Sequence, residues 1–100
     1  MYAQLVQGGT TPDKRKEMDR IVNEDLVPAL KDEPGFSGAL NLVDRGTGNA
    51  LMLILWQTAD QANRPLKEYG QRFLQALASI AAISTGNRSP ISVWEVNAQV

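Results

Sequence analysis

The side chains that could bind a ligand gather in the second half of the chain. Tyr69 lies on the apolar stripe of a predicted helix, so its ring belongs in the core while its hydroxyl could donate into a cavity. Arg64, Lys67 and Arg72 flank the same helix and could hold an anionic or phenolate ligand. The alternative for these cations is the solvated face of that helix. Asn63 has a second interpretation as a helix cap.

The chain contains neither Cys nor His. Without Cys it has no disulfide, no thiol nucleophile and no thiolate metal ligand. Without His it lacks the commonest general base near neutral pH, the commonest metal ligand and the usual proximal haem ligand. The carboxylate pairs Glu24-Asp25 and Asp32-Glu33 lie on or after an exposed predicted helix, with no sign of the burial that acid–base catalysis uses. We therefore predict no metal site and no bound cofactor.

The composition argues against several classes of partner. With 10 Lys and Arg against 11 Asp and Glu, the 100-residue chain has a formal charge of -1 and no block of like charge. This argues against nucleic acid and anionic membranes. RNA-recognition modules stack bases on exposed aromatic residues, whereas the predicted sheet offers Leu, Ile and Met. We predict one domain over residues 1–100 and, because no signal peptide follows Met1, a cytoplasmic location.

Four predicted strands and two predicted helices follow one another in the order β-α-β-β-α-β. The strands are predicted at Tyr2–Gln7, Phe36–Val43, Ala50–Trp56 and Ile91–Asn97. The first helix is predicted to begin at Thr11-Pro12-Asp13, with Thr11 as a cap, and to loosen at Pro28. The second is predicted from Leu66 to about Ser84, after an interruption at residues 63–65 and before a loop at residues 85–90. This order is typical of the ferredoxin-like fold, an α+β architecture whose four-stranded antiparallel sheet carries both helices on one face.

Residues 50–56 are seven apolar residues in succession, too few for a membrane helix, which needs roughly 18. Leu51, Leu53 and Leu55 point to one face of the strand, and Met52, Ile54 and Trp56 point to the other. We place Val6, Val43, Trp94 and Val96 on the face that the helices leave bare. Such a patch predicts a homodimer formed through the sheet faces. The alternative cover is a small ligand or the C-terminal tail. Gln4 and Asn41 are interpreted as polar contacts at that dimer seam, or else to a ligand.

Short motifs around the second and third predicted strands carry a resemblance to a known family. They are Pro34-Gly35-Phe36, then Gly38 to Asp44, then Thr47-Gly48, then the apolar strand that ends at Trp56. With them the chain resembles the small dimeric α+β barrel proteins of the antibiotic-biosynthesis monooxygenase type, over nearly its whole length. These motifs place turns and a core aromatic residue, so they indicate a fold, a dimeric α/β barrel, rather than a reaction.

The resemblance implies two kinds of activity. Haem-degrading members use a helix-borne His, which this chain lacks. Cofactor-free members oxidise electron-rich polycyclic phenols with molecular oxygen, in a cavity between sheet and helices. By this resemblance Tyr69 and Asn63 are candidate catalytic residues. The candidate substrate-binding residues are Trp56, Phe73, Arg72 and Trp94.

The function implied is a cofactor-independent monooxygenase that acts on a small aromatic or phenolic metabolite. The alternative is a non-catalytic dimeric protein of the same fold, which binds a small molecule or has a stress or accessory role. Active relatives tend to carry a Trp early in the second helix, where this chain has Pro65-Leu66. The missing Trp and the missing His motivate the alternative.

Overall fold

The computed structural model describes residues 1–85 and 91–100. The strands are β1 (Tyr2–Gly9), β2 (Phe36–Val43), β3 (Asn49–Trp56) and β4 (Ser92–Glu95), and the helices are α1 (Arg15–Ile21), α2 (Val27–Lys31), α3 (Ala59–Ala62) and α4 (Gln71–Ile83). The strands form an antiparallel sheet in the order β2-β3-β1-β4, which confirms the predicted ferredoxin-like α+β fold. The last strand is shorter than predicted. Of the predicted loop at residues 85–90, all but the first residue lies outside the described residues.

The first helical region changes its winding in the middle. It begins as a 3-10 turn (Pro12–Lys14), continues as α1, widens into a π-helical segment (Val22–Leu26) and ends as α2. Pro28 follows the wide segment and has no N–H, so the carbonyl of Glu24 loses its usual helical partner. The predicted loosening at Pro28 is confirmed. It leaves Val22 and Leu26 facing the core.

The starts of the helical segments are capped in different ways. Thr11 stands at the predicted cap position, but its side chain makes no cap hydrogen bond; the Thr11 hydroxyl lowers the pKa of the neighbouring Asp13 carboxyl below its usual value. In α3, Oγ1 of Thr58 accepts from the Gln61 N–H at 3.2 Å, and Oε1 of Gln61 accepts from the Thr58 N–H at 3.1 Å. Gly35 packs against this Gln61 side chain with a φ of +79°, so both its conformation and its space require glycine.

The second long helix begins later than predicted. α4 starts at Gln71 rather than at Leu66, because Leu66–Glu68 is a separate 3-10 turn. Gly70 precedes α4 in an extended conformation, and its N–H donates to Oε1 of Glu33 at 2.8 Å. This side-chain acceptor satisfies one of the N–H groups that a helix start leaves without a helical partner, and so supports the break.

The core lies between the helices and the sheet face that they cover. Trp56 and Leu30 are fully buried at its centre. The apolar side chains packed with them come from both long helical regions, β3 and the turns between: Met18, Val22, Leu26, Ala29, Ile54, Ala62, Tyr69, Phe73 and Ala76. Both long helical regions therefore cover the same face, as predicted. None of the helices in the described ranges is long and apolar enough to span a bilayer.

The opposite face of the sheet, which we call the open face, is apolar. Its centre is formed by three half-buried leucines of β3: Leu51, Leu53 and Leu55. The two edge strands, β2 and β4, add three exposed side chains: Leu40 (58% exposed), Leu42 (49%) and Trp94 (59%). The separation of β3 into two apolar faces, and the position of Trp94 on the second face, are as predicted.

Two valines assigned to the open face lie on the other one. Val6 is directly opposite Met52, and Val43 is directly opposite Ala50. Residues opposite one another in adjacent strands share a face, and Met52 packs against the core. The prediction for Val6 and Val43 is therefore wrong, and Val96 lies beyond the end of β4.

Replacing the fully buried leucine tests this description of the core. Leu30→Ala removes a side chain with 0% exposure, so we expect the free energy of unfolding to fall by about 3 kcal/mol. The matched control is Leu66→Ala, because Leu66 is 53% exposed and its loss should cost less than about 0.5 kcal/mol. Urea denaturation followed by circular dichroism measures both. Equal losses would contradict the assignment of Leu30 to the core.

Candidate functional site

Three predicted site residues meet in an aromatic cluster at the end of β3. Tyr69 stacks on Phe73 with ring centroids 4.5 Å apart, and Trp56 meets Tyr69 edge-on at 6.2 Å. Phe36 makes a second edge-on contact with Trp56 at 6.2 Å. The indole N–H of Trp56 donates to Oε1 of Gln4 at 3.0 Å. These are the separations of packed aromatic pairs, so the cluster belongs to the core. Because Gln4 bonds Trp56 there, the prediction that Gln4 lies at the dimer seam is wrong.

Arg64 places a buried charge on this cluster. Its guanidinium carbon lies 4.2 Å from the ring centroid of Tyr69 and 5.6 Å from that of Trp56. One guanidinium nitrogen binds Oε2 of Glu33 at 3.2 Å, and the two side chains are only 15% and 8% exposed. The other carboxylate oxygen of Glu33 accepts a hydrogen bond from the Gly70 N–H. The interpretation of Glu33 as exposed is therefore wrong, and Arg64 is not part of a solvated face.

The remaining predicted site residues lie apart from the cluster. Asn63 is exposed, and its amide donates to a carbonyl of its own turn at 2.9 Å, where it ends α3. Arg72 is exposed and pairs with Asp32 at 3.3 Å. Trp94 lies on the open face, whereas Trp56 lies on the helix-covered face. The structure thus brings the three aromatic residues together and leaves these three at the surface.

A cleft of about 470 Å³ opens between the π-helical segment and the β2 side of the sheet. We call it the helix–sheet cleft. Its apolar walls are Val22, Val27, Ala39, Val43 and Met52, and its polar side chains are Asp19, Asn23, Asn41 and Arg45. Its volume lies within the range of about 300–1,000 Å³ that is usual for small-molecule sites. π-Helical turns are also frequent at functional sites.

Two amides present acceptor atoms to the helix–sheet cleft. Nδ2 of Asn41 donates to the carbonyl of Leu51 at 3.3 Å, and Nδ2 of Asn23 donates to the carbonyl of Asp19 at 2.8 Å. Each amide nitrogen keeps a second N–H, so the oxygen and one N–H of each side chain remain for a ligand, and the oxygen can accept from a ligand hydroxyl. Asn41 lies opposite Met52 on the helix-covered face. It therefore lines the cleft instead of the predicted dimer seam.

A three-residue charge network lies at one end of the helix–sheet cleft. Oδ2 of Asp19 binds Arg45 at 3.2 Å, while Oδ1 of Asp19 accepts from Nε of Arg15 at 3.0 Å. Arg15 is buried, with its side chain 9% exposed, whereas that of Arg45 is 69% exposed. None of the three was predicted as a site residue. Their charges belong to a helix and to a distant hairpin, and only the fold joins them.

Comparison with known proteins identifies the fold. No family profile and no curated protein sequence matches the chain. A candidate antibiotic biosynthesis monooxygenase from Nitrosomonas europaea matches with a TM-score of 0.77 at 14% identity, over 98% of this chain and 100% of the other. One from Caulobacter crescentus matches with a TM-score of 0.77 at 16% identity, over 95% and 88%. The chain has the antibiotic biosynthesis monooxygenase fold.

A third structure with this fold has a named activity. SnoaB, a cofactor-independent oxygenase from Streptomyces nogalater, matches with a TM-score of 0.69 at 16% identity, over 99% of this chain and 95% of the other. At these identities the likeness concerns the fold of the backbone. The resemblance predicted from the sequence is confirmed at that level.

The neighbouring carboxylates Asp32 and Glu33 allow a direct test of the buried ion pair. Glu33→Gln leaves the charge of Arg64 buried without a counter-charge, so we expect the free energy of unfolding to fall by about 3 kcal/mol. Asp32→Asn is the control, because Asp32 and Arg72 are 74% and 62% exposed, and a change below about 0.5 kcal/mol is expected. Urea denaturation measures both variants. A small effect of Glu33→Gln, equal to that of the control, would show that the Arg64 charge does not depend on Glu33.

Proposed function

We propose that the chain is a cofactor-independent monooxygenase that takes a small aromatic or phenolic molecule into the helix–sheet cleft. The observation that carries the proposal is a cleft of ligand size between sheet and helices, in a fold shared with a cofactor-independent oxygenase. The apolar walls suit an aromatic ring, since transfer of apolar surface from water is favourable. The amide oxygens of Asn23 and Asn41 suit its hydroxyl group.

The chemistry proposed needs only the substrate and molecular oxygen. A phenol bound in the cleft donates its O–H to an amide oxygen, which orients the ring. Loss of the phenolic proton to water, which returns it when the product phenol forms, makes the ring of an anthrone-type phenol electron-rich enough to reduce oxygen. A ring methylene then becomes a carbonyl: one oxygen atom enters the substrate, and the other leaves as water with the two methylene hydrogens. Tyr69 and Asn63 keep their predicted catalytic roles as proposals to be tested in the same assay.

Asn41→Leu tests the cleft as the site of turnover. We expect kcat/KM for an anthrone-type phenol to fall by about tenfold or more, because one hydrogen bond to a polar ligand group is lost. Asn97→Leu, at an exposed position beyond β4, is the matched control and should retain full activity. Oxygen consumption and product formation are measured together.

Tyr69→Phe and Asn63→Ala in the same series test the roles that the resemblance implies. Absence of product above the uncatalysed rate, over a panel of anthrone-type and quinol-type phenols, would overturn the oxygenase proposal.

The alternative function is supported by the surroundings of the predicted catalytic residues. Asn63 is bonded within its own turn, and Arg72 is paired with Asp32 at the surface. A dimeric protein that binds a small molecule without turnover needs no reactive group in the cleft. Saturable binding of the phenols, with no oxygen consumed, would favour this alternative.

We further propose that a second copy of the chain covers the open face. Leu40, Leu42 and Trp94 are each about half exposed there. Residues 97–100 are themselves exposed, so the described tail does not cover the face. Pairing of two open faces about a two-fold axis would bury the leucines of both copies and complete a dimeric α/β barrel.

Leu40→Lys tests this dimer. A two-fold axis brings two copies of the new charge into one apolar interface, so the dimer dissociation constant should rise by about a hundredfold or more. Leu66→Lys, at a position 53% exposed and outside the sheet, is the control and should leave assembly unchanged. Light scattering gives the mass, and the Tm of the unmodified chain should rise with its concentration. A monomeric mass with a concentration-independent Tm would rule the dimer out.

A further inference from the structure

We infer that the helix–sheet cleft selects aromatic ligands that carry an anionic group, such as a carboxylate, and that Arg45 binds this group. The inference rests on the proposed function, because it takes the same cleft as the ligand site. The inference adds that the ligand is anionic and that Arg45 recognises its charge. The carboxylate end of the ligand lies towards Arg45, while its ring lies against the apolar walls.

The charge network has more positive charge than negative charge. Asp19 is a single carboxylate between two guanidinium groups, Arg15 on the inside and Arg45 on the outside. With one negative charge between two positive charges, the network keeps a surplus of one positive charge. This surplus lies at one end of a cleft that also has apolar walls.

Burial decides which arginine depends on Asp19. The side chain of Arg15 is 9% exposed, and its two terminal nitrogens make no hydrogen bond to any described residue. One of them lies 2.9 Å from Oδ1 of Asp19 but is not oriented to donate to it. A buried guanidinium needs a counter-charge, because water does not stabilise it there. The carboxylate of Asp19 therefore compensates Arg15 first, and the charge of Arg45 is the one left over.

Arg45 has the donors and the freedom to bind a second carboxylate. Its contact with Asp19 is made by one nitrogen, Nη1, at 3.2 Å. The guanidinium presents several further N–H groups in a planar fork that matches a carboxylate. With a side chain 69% exposed, Arg45 can turn towards a ligand at little cost in packing.

The other charges near the network lie outside the cleft. The Asp44 carboxylate, next to Arg45 in the hairpin, accepts from the N–H groups of Gly46 and Thr47 in its own turn and does not line the cleft. On the helix, the carboxylates of Glu17 and Glu24 are both paired with Arg20 at the exposed surface. Asp19 and Arg45 are the charged side chains among the described residues that line the cleft.

A matched pair of ligands isolates the effect of charge. 6-Hydroxy-2-naphthoate and its primary amide, 6-hydroxy-2-naphthamide, have the same ring, the same hydroxyl and nearly the same shape, but only the first is ionised at neutral pH. Titration of each into the protein by two-dimensional NMR gives the two dissociation constants. The side-chain amide signals of Asn23 and Asn41 report whether binding occurs in the cleft. We expect the naphthoate to bind about tenfold more tightly than the amide at low salt, because it adds a charge-assisted contact.

Arg45→Gln and a matched control then assign the preference to one residue. In Arg45→Gln the ratio of the two dissociation constants should fall to below about threefold, because the guanidinium that binds the carboxylate has been removed. Arg20→Gln removes the same charge from an exposed residue that does not line the cleft, and should keep the ratio within about twofold of that of the unmodified protein.

Each outcome separates this inference from the proposed function. If the amide binds in the cleft as tightly as the naphthoate, or if Arg45→Gln keeps the preference, the inference fails while the cleft stands as a ligand site. Equal losses in Arg45→Gln and Arg20→Gln would also overturn it, since the preference would then reflect the overall charge. If neither ligand shifts the Asn23 and Asn41 signals, both proposals fail. A charge preference for these ligands supports the inference whether or not the cleft is catalytic, because neither naphthalene has the ring methylene that the proposed oxidation uses.

Discussion

The two apolar faces of β3 are the constraint on which the rest of the structure depends. β3 pairs with β1 on one side and β2 on the other, so it has no open edge. One of its faces supplies Ile54 and Trp56 to the helix-covered core, and this fixes which side of the sheet the helices must cover. The other face can be removed from water only by something outside the described chain. The fold and the proposed dimer thus both depend on one seven-residue run.

The position of the cleft follows from the sizes of side chains in two neighbouring regions. At the end of β3, large rings and the Arg64 guanidinium fill the space between helix and sheet. Towards the hairpin, β2 presents the shorter side chains of Ala39, Asn41 and Val43 to the helix. They meet the first helical region at its π-helical segment, where the backbone is wider. Packing is therefore complete at one end of the interface and incomplete at the other, and the incomplete end has the polar groups.

Apolar periodicity was sufficient to predict the strand order, both long helical regions and the two-faced strand, because burial follows a period of two or 3.6 residues. It failed where burial follows charge pairing. Arg64 and Glu33 are 31 positions apart, and each alone is typical of a solvated surface, so only the fold shows that they bury each other. The break at Gly70 depends on the same carboxylate and was missed with it. The cleft combines side chains from α1, the π-helical segment, α2, two strands and a hairpin, and no local pattern encodes such a void.

The two tryptophans lie on opposite faces of one sheet, and this separates two optical signals. The indole of Trp56 is fully buried, bonded to Gln4 and in contact with aromatic rings, so its fluorescence is shielded from aqueous quenchers and reports the integrity of the core. Trp94 is 59% exposed, and its emission responds to whatever covers the open face. The sequence therefore carries one spectroscopic reporter for folding and another for the proposed association, without any label.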